Sequence, residues 1–331
     1  MFAAALASAQ APRVGEIEFY GFRKVSEEKA RRVLNVKPGD PLPPSKGDLE
    51  EKLEEIPGIV RAQVEATCCE DGKAVLFVGV EERGAAHFAL RSPPAGEAAL
   101  PRGIVDTYGK FVDAVEAAAR RGSTAEDLTR GHSLMADPDA RALQEEFAAF
   151  AKDNLPLLRS VVRDAPEPEQ RAIGAFVIGY APDKKAVVAD LQYAIQDPDE
   201  VVRANTMRAL SAIAVLAVKQ PDLEIRIEPT WFIEMLNALS LSDRTKAAAA
   251  LVNLTEKDAA STLEQIRARA LDSVLEMARW KTLNFALPAF ILAGRMAGMT
   301  DPAIQDAWTK GEREAVIEKA RAPKGKSKAA K

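Results

Sequence analysis

The chain has 331 residues, of which 47% are hydrophobic and 28% charged, with a formal net charge of -4 and a pI near 5.6. That length allows two or three domains, and the thin aromatic content beside abundant alanine favours helices packed through small side chains. The acidic balance excludes a general nucleic-acid binder, which needs a basic face to displace phosphate counterions.

Residues 1–11, MFAAALASAQA, form an apolar, alanine-rich run ending in small residues of the A-x-A type, as in a truncated signal peptide. Processing after Ala9 or Ala11 fits, and the expectation is export to the periplasm. The run lacks a basic n-region, so a start upstream of Met1 and a simple frayed terminus both stay open. No later stretch reaches the roughly 18 uninterrupted apolar residues of a membrane helix.

From residue 14 to residue 83 the periods run strand, helix, helix, strand, strand. Gly15 to Phe22 alternates and is rich in β-formers, and Ser26 with Glu27 and Glu28 starts a helix carrying Ala30, Val33 and Leu34 inward. Pro38-Gly39 and Pro41 to Pro44 break it. Ser45 to Ile56 forms a second helix, stopped by Pro57-Gly58. Ile59 to Cys69 alternates Val60, Ala62, Val64, Ala66 and Cys68 against Arg61, Gln63, Glu65, Thr67 and Cys69, which predicts one buried and one wet face. Cys68 and Cys69 are neighbours and point to opposite faces, which predicts one buried and one exposed thiol, with a vicinal disulfide as the alternative. Asp71-Gly72 is a tight-turn pair, and Lys73 to Glu82 returns with Leu76, Val78 and Val80 on one face.

This segment resembles the polypeptide-transport-associated (POTRA) domain. The likeness rests on the β-α-α-β-β order, on I-x-F-x-G-F at Ile17 to Phe22, on P-G-D-P at Pro38 to Pro41, on I-P-G-I-V at Ile56 to Val60 and on V-x-V-E-E at Val78 to Glu82. It implies a module that docks or assembles other polypeptides by offering a sheet edge, here the strand Ile59 to Thr67, with Arg61, Gln63 and Glu65 as the side chains that select a partner. No β-barrel pattern follows, so direct outer-membrane insertion has no support.

Residues 84–102, rich in Gly and Pro, read as a linker. Residues 103–318 read as helices almost throughout, beginning with Ile104 to Arg121 and an Asp139 to Asp164 segment interrupted near Pro156. A weak repeat follows in small-residue helices beginning at Arg171, Arg203, Arg244 and Leu283, with partner helices Lys185 to Ile195, Pro229 to Ser240 and Leu263 to Trp280 between them. Helix pairs recurring in this way build a solenoid, each pair burying its apolar face on its neighbours. The string D-P-D-E-V-V-R at Asp197 to Arg203 is similar to HEAT repeats, which implies an interaction scaffold; a minority of that group are chromophore lyases or partners of enzymatic domains. Residues 319–331 form a basic low-complexity tail expected to be disordered.

Chemistry is sparse. His87 and His132 are the only histidines, and no metalloprotease, nucleophile-elbow or phosphate-loop string occurs. His132 beside Ser133 is the most suggestive pair, yet adjacent residues seldom face each other, so His132 reads as a packing or capping residue. Trp231 and Phe232 are candidate aromatic anchors for a partner, with core packing as the alternative.

The expectation is therefore an α+β N-terminal module plus an all-α HEAT-like solenoid, acting as a non-catalytic periplasmic scaffold for envelope proteins, with no cofactor, metal or nucleic acid. Arg61, Gln63, Glu65, Trp231 and Phe232 are its candidate partner-binding residues. The alternative is a cytosolic HEAT-like enzyme or lyase with an accessory αβ module.

Overall fold

The structure, a computed structural model, describes residues 12–70, 72–257 and 259–322. The expected leader, and residues 323–331 of the basic tail, lie outside the described residues.

β1 (Val14–Tyr20), α1 (Glu27–Leu34), α2 (Lys46–Glu54), β2 (Ile59–Glu70) and β3 (Lys73–Glu82) come in the order that the periodicities predict. Ser45 caps α2 by accepting the Asp48 N–H at 3.2 Å, whereas Ser26 sits at the N-cap of α1 without a side-chain bond. The strand order is β1-β3-β2, with β1 parallel and β2 antiparallel to the central β3. The two helices and β2 supply the long crossover that parallel pairing of β1 with β3 requires.

One sheet face packs Ile17, Phe19, Val64, Leu76, Val78 and Val80 onto Ala30, Leu34, Leu49 and Leu53. The other face was expected to be wet; along β2 Arg61 is exposed and Gln63, Glu65 and Thr67 are half-buried, but the centre of that face is covered. Tyr20, Val75 and Phe77 enter the core of the helical region. The Phe77 ring lies 5.2 Å from Trp280 and 5.6 Å from Phe285, and Tyr20 lies 5.7 Å from Trp280. The reason is visible in β3, whose Ala74 to Val80 run is buried on both sides, as in a strand covered by two layers. Gly79 pairs with Tyr20, and a Cβ there would sit 2.3 Å from the Tyr20 ring. Its absence lets the tyrosine lie over β3 and donate its hydroxyl to the Leu239 carbonyl at 2.8 Å.

β2 also departs from its predicted alternation. A bulge between Ile59 and Arg61 buries Ile59 and leaves Val60 51% exposed. Ala62 and Val64 are buried, but Ala66 and Cys68 are exposed. Cys68 is disulfide-bonded, so the expected free thiol is corrected at that position; the Cys69 side chain lies outside the described residues.

The helical region comprises α3 (Arg102–Arg120), a short hairpin of β4 (Glu126–Asp127) and β5 (Leu134–Met135) that carried no sequence signal, then α4 (Pro138–Asp153), α5 (Leu155–Asp164), α6 (Pro168–Ile178), α7 (Val188–Ala194) and α8 (Glu200–Lys219). It continues through α9 (Thr230–Met235), α10 (Leu241–Leu254), α11 (Ala260–Met277), α12 (Leu283–Met296), α13 (Asp301–Thr309) and α14 (Arg313–Arg321). The segment around Pro156 is two helices divided at Asn154, with the proline in the first turn of α5 where its missing N–H costs nothing. Lys319 to Arg321 belong to α14, which moves the start of the expected tail.

α6, α8, α10, α12 and α14 stack in succession into one layer, and each packs on the helix before it. This is a solenoid of helix pairs. α8 is long and apolar enough by composition to cross a membrane, but more than half of it is buried between its neighbours. A ladder of buried arginines ties the pairs together. Arg171 binds Asp197 with two nitrogens at 2.8 and 2.9 Å, and Arg203 reaches Asp243 at 2.8 Å. Both spend their remaining nitrogen on carbonyls at the turn before their own helix, at Ala165 and Pro166 for Arg171 and at Asp197 and Pro198 for Arg203. Arg244 continues the series with the Ala238 carbonyl and Glu276.

Residues 84–102 are pinned rather than loose. The Arg91 N–H donates to the Gln196 carbonyl at 2.8 Å while its guanidinium lies 3.3 Å over the Tyr193 ring, and the Gly96 N–H donates to the Asp164 carbonyl. Phe88 and Leu100 are buried. The segment therefore runs along the array as a strap.

Candidate binding cleft

Besides the Tyr20 and Phe77 packing and the contact of Lys281 with Glu16 and Glu18 of β1, two polar contacts between the N-terminal module and the array flank the candidate site. At one, Glu276 accepts the Gly21 N–H at 2.9 Å and pairs with Arg23 and Arg244, and Arg23 also donates to Ser273. At the other, Glu65 of β2 accepts the Leu241 N–H at 3.3 Å at the start of α10. Burial raises the Glu65 carboxyl above the usual carboxylate range, the Leu241 N–H opposes this, and the charges of Glu200 and Asp243 add to it.

Between module and array lies a cleft of about 440 Å³. One wall is β2 and α2, through Arg61, Ala62, Gln63, Glu50 and Glu54. Phe88 and Leu90 of the strap form a second, apolar side. The third is the ladder end of the array, with Glu200, Arg203, Ser240 and Asp243. Carboxylates outnumber cations here. Both arginines are already held, Arg61 by Glu81 at 2.8 Å and Arg203 by Asp243. Asp243 is 2% exposed, and its Oδ1 has no hydrogen-bond partner among the described residues. Burial pushes the Asp243 carboxyl up, with the Arg203 charge acting against it.

The edge of β2 facing this cleft is closed in a specific way. Glu54 Oε1 accepts the Ala62 N–H at 2.9 Å and Glu50 Oε1 accepts the Val64 N–H at 2.7 Å. Two outward backbone donors, two residues apart on the strand, thus meet two carboxylates one turn apart on α2. About 6 Å of helix rise per four residues matches about 6.8 Å of strand per two. An open edge was the sequence expectation. Glu50 and Glu54 gave no signal because helix-surface glutamates look alike until the helix is placed beside the strand.

Of the candidate partner-binding residues, Arg61 and Gln63 line the cleft, and Gln63 donates to Glu65 at 2.9 Å. Glu65 is turned to the array. Phe232 is 1% exposed inside the array core and offers no surface, and the half-buried Trp231 packs against the same core, so neither joins Arg61 and Gln63. Both sit on α9, whose short turn needs their bulk to reach the neighbouring helices.

His132 and Ser133 do not face each other. The Ser133 hydroxyl donates to Glu126 at 2.8 Å and accepts from Arg208. His132 Nδ1 lies 3.0 Å from Lys184 Nζ, which also donates to the Gly179 carbonyl at 2.7 Å, and the ring packs 5.1 Å from that of Tyr180. Burial lowers Lys184 to about 7, and burial with the Lys184 charge lowers His132 to about 4. The cavity beside them holds only about 10 Å³, too little for a substrate. His87 is exposed, with its Nδ1 3.3 Å from the nearby Ala85 carbonyl. Among the described residues no group of three or more His, Cys, Asp or Glu could hold a metal ion.

A comparison with protein-family models finds no match, and a comparison with curated proteins finds none. Among solved structures, a computationally designed armadillo-repeat protein for modular peptide recognition is similar at 15% identity over 55% of this chain and 92% of that one, with a TM-score of 0.37. A designed armadillo-repeat protein in complex with a (KR)4 peptide is similar at 13% identity over 57% of this chain and 87% of that one, with the same TM-score of 0.37. The solenoid assignment itself rests on the packing of α5 to α14.

Proposed function

We propose that this protein is a non-catalytic scaffold that holds an extended polypeptide segment in the cleft between β2 and the helical array. The observation that carries this is the convergence, on one cleft, of a strand edge, an apolar strap and an acidic array wall. A strand edge supplies backbone recognition, and apolar and charged walls supply side-chain selection. The β-α-α-β-β order with β3 central supports the POTRA-like reading of the module, in which this edge receives a partner. The alanine-rich first eleven residues support export to the periplasm, where such a partner would be an envelope protein.

A photo-crosslinking amino acid at Gln63 or Leu90 is expected to capture a polypeptide in cells, and one at the exposed Val112 of α3 is not. Equal capture from both places, or none from the cleft, rejects the proposal. Sequencing the mature N-terminus tests export separately, because a terminus near Gln10 or Pro12 requires processing.

A further inference from the structure

We infer that Glu50 and Glu54 form an exchangeable latch on the β2 edge, released by an extended segment that carries a basic side chain at every second residue. The inference rests on the cleft proposal and names the chemistry of the occupant.

A carboxylate can only accept, so the latch satisfies the N–H groups of Ala62 and Val64 and gives nothing to their carbonyls. In an antiparallel ladder, the N–H and C=O of one residue point to the same side. An incoming strand can therefore supply acceptors for both N–H groups and donors for both carbonyls, more bonds than the two it displaces. The exchange frees two carboxylates beside Glu200 and the unpartnered Asp243 Oδ1, in a cleft whose arginines are both engaged. Glu50 is half-buried and Glu54 exposed, so once freed they stay ionised and add to the negative field of Glu200 and Asp243, which favours a cation on the incoming segment over an anion.

The spacing states which cation. Alternate side chains of the incoming strand project to one face about 6.8 Å apart. Glu50 and Glu54 stand about 6 Å apart along α2. Lysine or arginine at positions i and i+2 would reach both, whereas acidic residues there would leave four carboxylates crowded together. In the absence of such a segment the carboxylates protect the edge from pairing with another chain.

The test uses the full chain and two synthetic octapeptides, alternating Lys-Thr and alternating Glu-Thr. Alanine keeps α2 helical, so Glu50→Ala with Glu54→Ala removes the latch without removing the helix. In the free protein this variant should exchange the Ala62 and Val64 amides about tenfold faster, the order expected for loss of a charge-assisted acceptor, with the other β2 amides unchanged. The native chain should bind the Lys-Thr peptide at least about tenfold more tightly than the Glu-Thr peptide, shifting the Ala62 and Val64 resonances, and the variant should lose that preference. Unchanged exchange at Ala62 and Val64 overturns the latch, whatever the crosslinking result at Gln63 and Leu90. Failure of the Lys-Thr peptide to bind, or a preference that survives in the variant, overturns the exchange for a basic strand.

Discussion

Arg171 and Asp197, 26 residues apart and each no more than 2% exposed, form a two-pronged ion pair that joins one helix pair of the array to the next. Desolvation makes such a pair expensive to form, and removing one partner strands the other charge in the core. Asp197→Ala is expected to destabilise the protein by about 3–5 kcal/mol in urea titration, while replacing both residues by apolar ones of similar volume should cost far less. A double variant as damaged as the single would show that the pair itself, and not the stranded charge, holds the repeats together.

Trp280 carries the contact between sheet and array through Phe77 and Tyr20. Cutting it to alanine should cost about 3–5 kcal/mol, as for other buried aromatics. Because the sheet is buried on both faces, calorimetry of the native chain should give one transition, and the Trp280→Ala chain two. Two transitions in the native chain would mean that the β3 interface does not couple the module to the array.

The Glu82 carboxylate collects three backbone donors from the β1–α1 turn, the N–H groups of Arg23, Lys24 and Val25 at 2.8–2.9 Å. Glu82→Ala should lower stability by about 2–3 kcal/mol and speed amide exchange at those three residues, because donors around a removed charged acceptor lose their partner. The same turn places Arg23 on Glu276, so that ion pair should weaken with it.

Lys184 and His132 predict a pH dependence with a definite sign. Burial holds Lys184 near 7 against an ordinary 10.5, so between those values the unfolded chain binds a proton that the folded chain lacks. Stability should therefore rise with pH from about 7 to about 10.5 and fall as pH drops through that window. His132, held near 4 against 6.5, adds a second loss as pH falls from about 6.5 towards 4. Urea midpoints measured across both windows should show two rising limbs, and Lys184→Met should flatten the alkaline one. An alkaline limb unchanged by that substitution would remove Lys184 as its source.

The sequence by itself determined the order of elements in the N-terminal module, the two helices between β1 and β2, the small-residue helices of the array and the arginines that open three of them. Those features are periods of two and 3.6 residues, local caps, and a spacing between repeats, all of which a single segment expresses without its neighbours. Tertiary structure alone decided what the second sheet face meets, that residues 84–102 form a strap, that Phe232 is core, and that Lys184 stands beside His132. The partners in those contacts lie far apart along the chain, Tyr20 and Leu239 by 219 residues. The cleft shows the same division: Arg61 and Gln63 were legible from strand alternation, but Glu50 and Glu54 became edge caps only once α2 was laid along β2. A glutamate on a helix surface satisfies its own segment equally well in water or against a strand, so its local pattern is the same in both cases, and only packing chooses between them.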